Sequence, residues 1–100
     1  MTHALVVTET GCVLHIAGTL DTLSRPALMP VLDALVEAAP PAVRVDLSEL
    51  RLIDGSGVGA LVSLFKRFRA KGGLVRFVGV KAQPLVLFKI LHLDQVFRLS

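Results

Sequence analysis

The chain has 100 residues, is 53% hydrophobic and carries a formal net charge of +3, which suits one compact domain with little stability to spare. Its single cysteine and three scattered histidines, His3, His15 and His92, exclude an intramolecular disulfide and give no metal-ligand spacing. The opening MTHALVVTETG lacks a basic leader and a long apolar run, and charges and glycines interrupt every candidate membrane span, so the expectation is one cytoplasmic domain over 1–100 without direct membrane insertion.

Residues 5–10 and 13–17 are short runs rich in β-branched side chains separated by Gly11-Cys12, the pattern of a hairpin. Cys12 reads as an ordinary strand thiol. After GTLD at 18–21, the residues Leu28, Leu32, Leu35 and Val36 recur at helical spacing, predicting a helix over 24–38. Pro26 suits its first turn; Pro30 removes a backbone donor, so the helix either starts later than Ser24 or bends at Pro30.

Val43, Val45 and Leu47 alternate with Arg44 and Asp46, which predicts a strand with one apolar face. A second helix is expected from about 57 to 70, with Val58, Leu61, Val62, Phe65 and Phe68 on one stripe and Gly72-Gly73 as its stop. Its basic cluster, Lys66, Arg67, Arg69 and Lys71, reads as a solvated helix end that complements the dipole, with no nucleic-acid partner, since no recognition motif or tyrosine accompanies it. LVRFVGV at 74–80 predicts another strand. Pro84 opens a third helix with Leu85, Phe88 and Leu91 inward, and QVFRL at 95–99 is the candidate for a short last strand.

The fold class is therefore α/β, in the order β-β-α-β-α-β-α-(β). A mixed, mostly parallel sheet of about four to five strands packs against helices, and the opening hairpin supplies the antiparallel pair.

The segment IDGSGVGALV places three glycines, Gly55, Gly57 and Gly59, at every second position where a helix begins. In a helix interior each would cost about 1 kcal/mol relative to alanine. A tight turn with close helix-to-sheet packing explains one or two of them; a surface without side chains that opens access to Ser56 is the other reading. Gly55, Gly57 and Ala60 match the letters of a dinucleotide fingerprint, but no Asp or Glu lies between Asp54 and Asp94 to hold a ribose. The nucleophile elbow fails at Asp54 and Val58, and the phosphate loop lacks its GK[ST] ending.

Ser56, His92 and Asp94 are the residue types of a hydrolytic triad, but His92 sits between leucines at an element's end, where a structural role is expected. Asp54 is placed to cap the helix, or to orient the Ser56 hydroxyl or help hold a phosphate-bound cation during transfer. Asp21 in GTLD has the same two readings, turn residue or neighbour of Ser56.

Taken in order, Gly18-Thr19-Leu20-Asp21, Val45-Asp46-Leu47-Ser48 and Asp54-Gly55-Ser56-Gly57-Val58 resemble the motifs of the STAS domain family, the bacterial anti-sigma factor antagonists, over nearly the whole chain. The resemblance implies a non-enzymatic partner switch without a cofactor. Ser56 would be phosphorylated by a partner that is both anti-sigma factor and serine kinase, released by that modification, and reset by a phosphoserine phosphatase. Asp21, Asp54, Gly55, Ser56, Gly57, Val58 and Gly59 would form the partner-binding surface, with Gly57 and Gly59 admitting the partner close to Ser56. Gly55 departs from the hydroxyl residue common there, and Val58 from the common Leu. A STAS accessory subunit of a lipid-transport ATPase or signalling scaffold, without a phosphorylation cycle, is the alternative; a homodimer is left open.

Overall fold

A computed structural model of the chain describes residues 1–9 and 11–97. Among these, strands β1 (Thr2–Thr8), β2 (Gly11–Leu20), β3 (Ala42–Ile53) and β4 (Leu74–Val78) form one sheet in the order β1-β2-β3-β4. The β1/β2 pair is antiparallel and the other two are parallel, as expected when helices α1 (Arg25–Ala38) and α2 (Gly55–Ala70) make the connections. Helix α3 (Ala82–Ile90) and the single turn α4 (Leu93–Val96) complete the chain order.

The apolar stripe of α1, Leu28, Leu32, Leu35 and Val36, meets Val58, Leu61, Leu64 and Phe68 of α2 and the inward residues Leu14, Ile16, Val43, Val45, Val75 and Phe77 of the sheet in one core. Leu64 replaces Val62 and Phe65 at the centre of the α2 stripe; those two are only partly buried. Helix α1 begins after Ser24 and continues through Pro30, so the proline is accommodated within the helix. The basic end of α2 fastens it to α1: Arg67 pairs with Asp33 at 2.7 Å, and Lys71 Nζ donates to the Val36 carbonyl at 3.0 Å.

The structure corrects the expected end of β3 and the inward face of α3. β3 extends to Ile53, well past Leu47. Its register against β2 slips twice, from His15↔Asp46 to Ala17↔Glu49 and from Gly18↔Leu50 to Thr19↔Leu52, each time with an extra residue on β3. These bulges put Leu47, Leu50 and Ile53 inward at intervals of three, which hides the strand's period of two. In α3, Leu91 is exposed while Pro84 and Phe88 are buried.

The candidate last strand is also replaced: Gln95 and Val96 belong to α4, while residues 98–99 of that segment, like Thr10 of the hairpin, lie outside the described residues. The helical turn delivers Phe97 into the core, stacked on Phe77 at 4.2 Å between centroids and edge-on to Phe88 at 5.7 Å. Burying that ring outweighs what a short edge strand would gain.

Candidate functional site

β2 and β3 run parallel and finish side by side, Leu20 opposite Ile53. Both then turn at an aspartate, Asp21 and Asp54, at the carboxyl end of the sheet, where α/β folds present ligands and partners.

Asp21 builds the first turn. Its Oδ1 accepts the N–H groups of Leu23 and Ser24, each at 3.0 Å, while Ser24 Oγ accepts the Asp21 N–H at 2.9 Å and lies 2.9 Å from the Thr19 carbonyl. These bonds, the Ser24 N–H foremost, hold the Asp21 carboxyl below the usual carboxylate range. Between the fixed ends of this turn stands Leu23, 89% exposed. Sequence reasoning missed it, because its apolar side chain carries no chemistry that a motif would flag.

Asp54 builds the second turn and ties it to the first. Its N–H donates to the Leu20 carbonyl at 3.2 Å, its Oδ1 accepts the Gly57 N–H at 2.9 Å as the N-cap of α2, and its Oδ2 accepts the Thr22 N–H at 3.3 Å. The carboxylate is therefore engaged in capping and bracing, and the expectation that it orients the Ser56 hydroxyl is not met. Behind the turn, the Gln83 side chain of α3 pairs with both backbone groups of Ile53, at 2.9 Å each, satisfying the end of β3 as a neighbouring strand would.

Ser56 sits at the second position of α2, partly exposed. Its Oγ has no hydrogen-bond partner among the described residues, and the Gly55 and Ser56 N–H groups have no acceptor there, as the first turn of a helix leaves them. The Ser56 carbonyl accepts from Arg25 Nη1 at 3.0 Å, which places a cation beside the turn.

The three glycines have three different surroundings. A Cβ on Gly55 would meet nothing within 4 Å, so this exposed residue is the one that leaves open space. At Gly57 a Cβ would lie 2.5 Å from the Leu20 carbonyl oxygen and 2.7 Å from an Ile53 side-chain carbon. Gly57 is thus the close-packing glycine, and the expectation that it admits a partner is corrected. Gly59 faces the Arg25 guanidinium, with Nη1 at 3.3 Å from its Cβ position. Val58 is buried and supports the surface from below.

The other sequence candidates lie elsewhere. α4 docks through Phe97 onto Phe65, about 13 Å along α2 from Ser56 at 1.5 Å per residue, and no hydrogen bond joins Ser56 to His92 or Asp94 among the described residues. Cys12 is buried, which raises its thiol pKa. No group of three or more His, Cys, Asp or Glu among the described residues could hold a metal ion, and none of the described helices is long and apolar enough to cross a membrane. The arrangement offers a partly exposed serine on a cross-braced double turn, flanked by N–H groups without acceptors among the described residues, one guanidinium and one exposed leucine.

Comparison with known proteins agrees with this fold. The STAS domain matches residues 3–100. The anti-sigma-B factor antagonist of Bacillus subtilis (strain 168) is 28% identical over 92 residues, covering 92% of this chain and 84% of that protein. The intermembrane phospholipid transport system binding protein MlaB of Escherichia coli (strain K12) is 28% identical over 93 residues, covering 93% of each. Among solved structures, an anti-sigma factor antagonist from Mycobacterium paratuberculosis superposes with a TM-score of 0.89 at 23% identity, over 99% of this chain and 84% of that one.

Proposed function

This chain belongs to the STAS domain family, and we propose that it is a bacterial anti-sigma factor antagonist, a cytoplasmic transcription regulator that binds partners rather than catalysing a reaction. The observation that carries this reading is the Ser56 hydroxyl, partly exposed and unbonded among the described residues, on a turn braced to the Asp21 loop. Unmodified, the surface of Leu23, Gly55 and Ser56 docks an anti-sigma factor that is also a serine kinase, and the sigma factor goes free.

The switch is electrostatic. The kinase transfers the γ-phosphoryl group of ATP to Ser56 Oγ, the hydroxyl proton departs and ADP is left; a phosphoserine phosphatase later hydrolyses the ester to serine and phosphate. The modified residue carries a charge of about −1.5 to −2. The free N–H groups of Gly55 and Ser56 and the neighbouring Arg25 accept that charge without refolding. A partner packed over the same turn loses its contacts and would have to strip water from the phosphate's remaining charge, so it dissociates.

The test is incubation with the cognate kinase and ATP, then mapping of the modified residue. Ser56 is expected to carry the label, and Ser56→Asp is expected to melt like the parent while no longer forming the complex. Labelling elsewhere with Ser56→Ala still modified, or a Ser56→Asp protein that binds undiminished, overturns the reading.

The likeness to MlaB favours one alternative, an accessory subunit of a lipid-transport ATPase that binds without phosphorylation. Co-purification separates the two, because a transport ATPase and a sigma-regulating kinase differ in mass and subunit composition.

A further inference from the structure

The Ser56 surface leaves the outer edge of β1 unused. All seven residues of Thr2–Thr8 are exposed. Leu5 and Val7 pair with the buried Leu14 and Cys12 and so lie on the helix-bearing face, yet they remain 43% and 78% exposed; Val6 on the opposite face is 49% exposed. The helical layer leaves this strand uncovered.

Edge strands in monomeric proteins carry protection: a charge, a proline or a bulge. β1 contains no Asp, Glu, Lys, Arg or Pro, and its register with β2 is uninterrupted from Thr2 to Thr8. The other edge, β4, is built differently. It spans Leu74–Val78, and Arg76 is its middle residue, so a two-fold axis there would set Arg76 against Arg76, a destabilising like-charge pair. The middle residue of β1 is Leu5.

We propose that β1 is a dimerisation edge: two copies of this chain pair their β1 strands antiparallel about a two-fold axis at Leu5, joining two four-stranded sheets into one continuous sheet. The register follows from the symmetry. Leu5 faces Leu5, Ala4 faces Val6, His3 faces Val7, and Thr2 faces Thr8, with no like-charged carboxylate, lysine or arginine pair at any position. Whichever set of alternate backbone groups points outward, this axis matches it to the same set on the second copy. The contact is isologous and closes at two copies, whereas β1 against β4 would propagate into open assemblies. A single strand pair is small beside a standard protein interface, so the dimer is weak and concentration-dependent. It uses the side of the sheet and leaves the Ser56 turns available, so it stands or falls independently of the partner-switch reading.

The test uses the purified chain alone. Sedimentation equilibrium between about 1 µM and 1 mM, the range of weak association, is expected to show a monomer–dimer equilibrium, and Leu5→Lys to weaken it by about tenfold or more while circular dichroism stays that of the parent. Should Leu5→Lys unfold, Val7→Lys, at a more exposed position, reads the same edge.

Cysteine pairing fixes the register. Directly opposed residues bring their Cα atoms to about 4.5–5.5 Å, within disulfide range, so Leu5→Cys is expected to form a covalent dimer on mild oxidation. His3→Cys is not, because the two copies of residue 3 lie about 13 Å apart. A monomer throughout, assemblies larger than a dimer, or a dimer in which His3→Cys links and Leu5→Cys does not, each overturns the proposal.

Discussion

The Arg25 guanidinium spans from the first residue of α1 to the start of α2, donating from Nη1 to the Ser56 carbonyl at 3.0 Å and passing over Gly59. The two helix starts are thereby held as one unit, through a charge-assisted bond stronger than a neutral one. Removing it in Arg25→Ala is expected to cost about 1 to 2 kcal/mol, read by urea unfolding, and to speed amide exchange in the first turn of α2. Arg25→Lys is expected to recover only part, since an ammonium lacks the planar fork. An Arg25→Ala protein of parental stability would show that the link is incidental.

The glycines should separate on substitution. Gly57→Ala drives a methyl group into the Leu20 carbonyl and the Ile53 side chain, and overpacking of this kind costs about 1 to 3 kcal/mol. Gly55→Ala adds a methyl group to open space and restricts the unfolded chain, so it is expected to be neutral or to stabilise by up to about 1 kcal/mol. Gly59→Ala gains helix propensity and displaces the end of the flexible Arg25 side chain. Its stability should fall between the other two. Equal denaturation midpoints for Gly55→Ala and Gly57→Ala would remove the packing argument.

Much of this was legible beforehand because the relevant signals are local. Helical spacing of Leu28, Leu32, Leu35 and Val36 marked α1, and Asp54 announced its cap through residue type and position. The far half of β3 was hidden because its bulges answer to β2, and nothing within the segment reports a neighbour's register. Gly57 and Gly55 look alike in sequence; only the approach of Leu20 assigns them opposite roles. Gln83 and Leu23 act through distant backbone and through exposure, so neither left a local signature.

Acid should weaken the fold through Asp46. Its Oδ1 accepts the Ser48 N–H at 2.9 Å and its Oδ2 lies 3.2 Å from His15 Nδ1. The Ser48 N–H foremost, then the Ser48 hydroxyl and His15, hold this carboxyl below its ordinary value. The folded-state pKa is thus lower than the unfolded one near 4, so the stabilisation is present above about pH 4 and is lost as pH falls through the folded value. Asp21 contributes in the same direction. Asp46→Asn is expected to be less stable than the parent at pH 6, with the gap narrowing in urea titrations carried below about pH 4. A gap that stays constant down to about pH 2 would mean that the ionised form of Asp46 is not what the fold holds.

Asp54 performs two tasks with two oxygens, and substitution can pull them apart. Asp54→Ala removes the cap on Gly57 and the brace on Thr22 together, with an expected loss of about 1 to 2 kcal/mol. Asparagine caps a helix as well as aspartate does, but it has one acceptor. If its oxygen stays on Gly57, its amide group faces the Thr22 N–H, donor against donor, and the brace opens while the cap remains. Asp54→Asn is therefore expected to keep the Gly57 amide protected from exchange and to expose that of Thr22. Because one of the ties between the Asp21 loop and the Ser56 turn is then lost, complex formation should weaken in Asp54→Asn more than stability does. If Thr22 stays protected in Asp54→Asn, or both amides are released together, the two oxygens do not act separately and the double turn is not braced through Asp54.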